Sequence, residues 1–340
     1  MRTLLLSAAA TLALLAVQPG DRQSRAAAAP SNGPTASDRA VTPVAWTVIA
    51  RDEVAALNRD VVAGKPTMDV GVYLPANYDP AFKRVTLETM LTGLKAAKKI
   101  YAPVGVQINI LWIKTGAVNP RYLSIQASEL GAMPDTEYLN LYEANARNPS
   151  ELTRVARDAF TSIIEPGPDS HRTILLVALQ DVVFPIYEFA EGRKWNIKVV
   201  RTGGLSFPTY SFPNALPPAW RGVITITNLS TPRRLNQTIA HEIGHKVMNV
   251  SHEYKTTEPA QAVYADGGLM LYGNGTDIPS GAEGRWHRER LMLSPFLYRT
   301  GKDGKKQWNA DYKEGGHYYD PLYDDKVVRF AGKSGMAPDW

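Results

Sequence analysis

Between Leu235 and Val247 the chain commits to one kind of element and to both of its sides. Leu235, Ile239, Ile243 and Val247 recur every four residues, the spacing of an α-helix with one side against a core. His241 and His245 are also four apart, so they share a face. His241 lies two residues from Ile239, a rotation of about 200° at 3.6 residues per turn, so the imidazoles leave the side opposite the apolar row. Such a helix needs packed elements behind it and a cleft in front. Ser230 or Thr231 can cap it, and Pro232 suits its first turn.

The preceding segments supply something to pack on. Asp69–Leu74 is a β-rich run ended by Pro75. From Val85 to Tyr101, Leu87, Met90, Leu91, Leu94 and Ala97 step by three and four, which predicts an amphipathic helix. Lys98 falls in line with that stripe, and in a last turn its stem can lie on apolar surface while its charge suits the helix dipole. Val104–Trp112 predicts a second strand, and strand, helix, strand in this order suggests a right-handed crossover between parallel strands. Residues 115–150 carry no clear pattern. Ser150-Glu151 opens a helical pattern through Leu152, Val155, Ala156, Phe160 and Ile163, with Pro166 as its stop. Thr173–Val183 is nearly all apolar at its start, as expected of a strand covered on both faces. Ile197–Ser206 offers an edge strand and Val223–Thr227 another strand. The expected class is α/β (α+β), with a twisted mixed sheet.

The two ends read differently. Arg2, the apolar run Leu4–Val17 and the small residues Ala26–Ala29 form a secretory signal pattern over residues 1–29, too short for a comfortable membrane span. The expectation is a secreted protein, extracellular or periplasmic, without stable membrane insertion; an uncleaved anchor is the alternative. Residues 30–45, rich in Pro, Ser, Ala and Thr, read as a flexible leader. A single domain is expected over 46–300, with an upper part to about 249 and a lower part after it. Residues 301–340 read as a C-terminal extension. The chain has no cysteine, which excludes a disulfide framework and cysteine metal ligands. Its formal net charge of +5 is mild, and no Lys/Arg run with interleaved aromatics points to nucleic acid.

His241, Glu242 and His245 form H-E-x-x-H. Two imidazoles on one helix face can hold one metal ion, and the glutamate beside them can act on a metal-bound water. Zn²⁺ is the expected metal. A third ligand is needed, and His252, Glu253, Glu258, Asp266, Glu283 and Glu289 are the candidates. His171, His287 and His317 are expected at the surface or behind the site. His317–Asp325 gathers carboxylates and aromatics without the loop spacing of an EF-hand, and reads as a solvated tail.

These residues resemble the metzincin clan of zinc peptidases, whose motif is H-E-x-x-H-x-x-G-x-x-H followed by a methionine turn. The matching positions are His241, Glu242, His245 and Met270, in Gly268-Leu-Met-Leu-Tyr272. Asn249 and His252 each fall one residue later than the family's glycine and third histidine, and Ser251 holds the usual third-ligand place. Asn249 suits the turn out of the helix almost as glycine does. The resemblance implies a metzincin-like zincin domain with an active-site helix and a smaller C-terminal subdomain after the third histidine, including a helix at Glu283–Leu293. It makes His241, His245 and His252 the metal ligands, Glu242 the general base, Met270 the turn beneath the metal and Tyr272 a zinc ligand or transition-state stabiliser. Met270 read alone is also ordinary core filler, and Tyr272 a buried tyrosine with a satisfied hydroxyl.

The function these expectations describe is a secreted zinc-dependent endopeptidase. A peptide or protein substrate would pair with an edge strand within 197–206. Two other readings stand beside it: a secreted binding protein on a metalloprotease scaffold, and a zinc hydrolase of a non-peptide amide.

Overall fold

The protein is described by a computed structural model over residues 41–78, 85–130, 150–190, 194–207, 216–227, 232–248, 268–270, 277–278, 285–310, 319–324 and 327–330. In chain order the elements begin with β1 (Thr47–Ile49), α1 (Arg51–Leu57), β2 (Thr67–Pro75), α2 (Leu87–Tyr101) and β3 (Gln107–Gly116). There follow β4 (Ser124–Gln126), β5 (Ser128–Leu130), β6 (Ser150–Leu152), α3 (Arg154–Ile163), β7 (Ile174–Leu179) and β8 (Asp181–Ala190). Next are β9 (Lys194–Arg201), β10 (Gly204–Ser206), β11 (Val223–Thr227) and α4 (Pro232–Met248). The last are α5 (Arg285–Leu293), β12 (Leu297–Thr300), β13 (Lys306–Trp308), β14 (Tyr319–Asp324) and β15 (Val327–Phe330).

The fold is mixed α/β on a mixed, eight-stranded sheet of order β1-β3-β2-β7-β11-β10, with β12 and β13 joined through β2. Strands β3, β2, β7 and β11 run parallel, whereas β1 and β10 are antiparallel to their neighbours. The expected β2–α2–β3 crossover is therefore present, with β2 and β3 paired side by side.

Strand periodicity sorts the core onto two faces. Met68, Val70, Val72 and Leu74 of β2, Ile174, Leu176 and Ala178 of β7, and Ile224 and Ile226 of β11 lie in one cluster with Met90 and Leu94 of α2 and Ile239, Ile243 and Val247 of α4. The intervening Tyr73, Leu175, Val177, Leu179 and Val223 lie in the other, with Ala156, Phe160 and Ile163 of α3. A bulge between Val70 and Gly71 leaves Leu111 of β3 without an opposite residue. Ile110 and Ile113 thereby face the α2/α4 side, and Trp112 faces the α3 side.

Helix α2 begins at a reciprocal cap: Thr86 Oγ1 accepts from Thr89 N–H at 3.2 Å and Thr89 Oγ1 from Thr86 N–H at 2.8 Å. Lys98 does lie along the buried side, but its ammonium donates to the Ile108 carbonyl at 2.9 Å and pairs with Asp60 at 2.9 Å. Three sequence expectations change. The helix expected from Ser150 starts at Arg154 under a Thr153 cap, and Ser150–Leu152 is a strand. The expected strand Thr173–Val183 divides into β7 and β8, which belong to different sheets. Of the expected edge strand, Ile197–Arg201 pairs with β8, and Gly204–Ser206 alone edges the main sheet.

After α5 the chain returns to the main sheet, where β12 pairs with β2 and carries the hairpin to Trp308, past residue 300. In the segment His317–Asp325, the backbone of β14 pairs with β15. Residues 1–29, most of the 30–45 leader, Ser230, Thr231, Asn249 and His317 lie outside the described residues.

Candidate metal and catalytic site

Helix α4 is held from behind before its front can be arranged. Ile239, Ala240, Ile243 and Val247 are buried against α2 and the sheet, each large apolar side chain contributing about 1.5–3 kcal/mol at most. Tyr101 of α2 donates its hydroxyl to the Ala240 carbonyl at 2.9 Å, in a buried setting. That bond fixes the helix one residue before His241.

On the opposite face, the His241 and His245 rings stand edge-on, with centroids 4.5 Å apart and planes at 83°. His241 Nδ1 lies 2.6 Å from the Leu269 carbonyl oxygen. A carbonyl only accepts, so Nδ1 carries the proton and Nε2 carries the lone pair. Burial also pushes the His241 pKa down, against the pull of the Leu269 carbonyl. Burial thus favours the neutral imidazole and the Leu269 carbonyl fixes its tautomer, the form in which histidine binds a metal.

The next residue along that segment, Met270, is fully buried beneath the same helix. A β-carbon on Gly244 would lie 2.5 Å from Met270 Sδ, 3.2 Å from Met248 Cε and 3.3 Å from Leu269 Cδ2. The glycine in H-E-I-G-H is thus where the methionine sulfur reaches the helix backbone. Leu269 fixes one histidine while Met270 fills the gap under the turn that joins both.

Glu242 projects toward β10. Its carboxylate accepts the Ser206 backbone N–H, and among the described residues Oε2 is buried without a hydrogen-bond partner. Burial raises the Glu242 pKa to about 8, although the Lys246 charge and the Ser206 N–H act to lower it. A β-carbon on Gly204 would stand 2.6 Å from Glu242 Oε1 and 2.8 Å from its Cγ, so the strand approaches the carboxylate as closely as only glycine permits. One turn on, Lys246 is 2% exposed and donates to the Phe207 carbonyl. Burial pushes its pKa well down, aided by the Arg221 charge and opposed by Glu242.

Three outward groups of β10 are already engaged. Thr202 Oγ1 donates to the Gly204 carbonyl and accepts the Gly204 N–H at 3.3 Å, while Ser206 N–H binds Glu242. A strand added to this edge would have to displace those bonds.

Among the described residues, no three histidines, aspartates or glutamates gather where they could hold a metal ion. Glu289, on α5, therefore does not join His241 and His245. His252, Glu253, Glu258, Asp266, Glu283 and Tyr272 lie outside the described residues. His287, expected at the surface or behind the site, is fully buried on α5. The two neighbouring imidazoles, one with its tautomer set, are donors of the kind zinc takes, and a third ligand would have to join them. The Leu269 carbonyl, Gly204, Ser206 and Lys246 were not singled out by the sequence, and the glycine in the motif was its nearest signal. No protein-family model matches the chain, and no curated protein matches it.

Proposed function

We propose that the protein is a secreted, zinc-dependent endopeptidase of metzincin type in which Glu242 is the general base. The observation that carries this reading is the anchoring of His241 through Nδ1 to Leu269, the residue before Met270. It supports a metal-facing Nε2 and ties the histidine pair to the segment the resemblance names as the methionine turn. His241, His245 and His252 are the proposed ligands, and zinc held there would supply a Lewis acid that acidifies water and polarises a carbonyl.

The chain's own groups divide the remaining work. Among the described residues no donor reaches Glu242 Oε2, which leaves it open to take a proton from the attacking water and return it to the leaving amine. The Ser206 N–H holds the same carboxylate and limits its rotation. Tyr272 is assigned to the oxyanion. The apolar start at Leu4–Val17 supports export.

The test uses the full chain with zinc, a chelator and an unstructured protein substrate. About one zinc per chain is expected, with turnover lost to chelator and restored by zinc. Glu242→Gln should keep the zinc and reduce turnover by about 10²- to 10⁴-fold. Undiminished turnover would remove Glu242 from its role. Zinc bound without turnover on any peptide or amide would favour the binding-protein reading.

A further inference from the structure

Lys246 has no part in the proposed chemistry, yet it is the costliest residue on its face of α4. Its neighbours on the helix, Ile243, Val247 and Met248, are buried and apolar, and a methionine at 246 would fill the same space. An ammonium 2% exposed gives up its hydration, a cost that stands unless fixed partners replace the lost water. The Arg221 charge makes the place still less favourable to a cation. A side chain used only for packing would not need to be charged.

Its partner gives it a use. Glu242 and Lys246 are four residues apart on one helix face, and each grips the strand that runs past them. Glu242 accepts the Ser206 N–H, and Lys246 donates to the Phe207 carbonyl. Phe207 is itself fixed from the other side, its ring edge-on to Phe160 of α3 at 5.5 Å. Leu205 and its neighbours pair with β11. The segment Gly204–Phe207 is thus held along one edge by a strand and along the other by two side chains of the helix. We infer that Lys246 is a positioning residue: by anchoring Phe207 it keeps the Ser206 N–H on Glu242, and through that bond it sets where the carboxylate points.

As a statement about catalysis this rests on Glu242 being the base; as a statement about the strand it does not. The test therefore begins with metal-free protein and amide hydrogen exchange. In Lys246→Met, the amides of Leu205–Phe207 should exchange at least about tenfold faster, with α4 and β7 unchanged. The melting temperature should hold or rise, because a buried ammonium has been replaced by an apolar chain of similar length. Lys246→Arg retains a donor and should exchange like the parent. If Lys246→Met does not fold, the same measurement on Lys246→Arg decides the matter, and faster exchange there overturns the inference. Unchanged exchange at Leu205–Phe207 in folded Lys246→Met also overturns it.

Turnover is the second arm. Lys246→Met should lose kcat by about tenfold or more, as expected when a general base is displaced, with zinc content unchanged and Lys246→Arg recovering most of the rate. Loosened strand amides with full kcat would confine Lys246 to the strand and overturn the positioning of Glu242. A parent without turnover overturns the peptidase reading and leaves the exchange result standing.

Discussion

A glycine inside a helix is ordinarily a defect, and replacing it with alanine gains about 1 kcal/mol. At Gly244 the sign should reverse. The added methyl would meet Met270 Sδ at 2.5 Å, and Met270 is fully buried with Leu269 beside it, so the methionine must leave its place. Gly244→Ala is expected to destabilise the protein by about 1–3 kcal/mol in urea denaturation. It should also weaken zinc uptake, because the Leu269 carbonyl that orients His241 moves with its neighbour. A neutral or stabilising result would separate Met270 from the helix. At this scale the histidine pair was legible because a spacing of four encodes a shared face. The Leu269 carbonyl was not, since a backbone group leaves no mark in a sequence, and nothing in the pattern of α4 singled out Lys246.

Elements were legible where burial repeats with a fixed period and were misread where a distant partner sets the boundary. The α2 and α4 stripes and the five residues of β11 follow from their own patterns. The division between β7 and β8 does not. It falls at Gln180 because the backbone N–H groups of Gln180 and Asp181 both turn to the Leu123 carbonyl, at 2.8 and 3.1 Å. Ser150–Leu152 likewise escapes its helical pattern because Thr153 caps α3, accepting the Ala156 N–H at 3.0 Å while donating to the Gln126 carbonyl at 2.6 Å. The β12–β13 hairpin is tied to β2 by a different device. Asp69 has no exposed surface and is held by Asn109 at 2.8 Å, Tyr298 at 2.8 Å and Lys306 at 2.5 Å. Lys306→Met would leave that carboxylate buried without its cation, and a loss of about 2–4 kcal/mol is expected in denaturant unfolding. A loss under about 0.5 kcal/mol would mark the pair as no more than a surface contact.

The whole molecule has no cysteine, and among the described residues no helix is long and apolar enough to cross a membrane. Its two-sided core therefore carries the stability, and buried phenols give that core an alkaline limit. Burial raises the Tyr73 pKa to about 12, and Tyr101 and Tyr298 are raised by the same cause. Unfolded tyrosine titrates near 10, so the fold holds the proton more tightly than the unfolded chain does. The Tyr73 contribution should be complete below about pH 10 and lost as pH rises through about 12, up to about 3 kcal/mol from this residue. Tyr73→Phe should flatten the fall in stability over that window in far-ultraviolet circular dichroism, and an unchanged slope would exclude Tyr73 as its source. A sheet also has an exposure that no core relieves. An edge with open N–H and C=O groups is a template on which further copies can stack. At β10 the Gly204 N–H and C=O are taken up by Thr202 and the Ser206 N–H by Glu242. The carboxylate proposed to carry the chemistry therefore also occupies a donor on that edge, and glutamine, which can still accept the Ser206 N–H, is expected to be a safer replacement for it in concentrated solution than alanine.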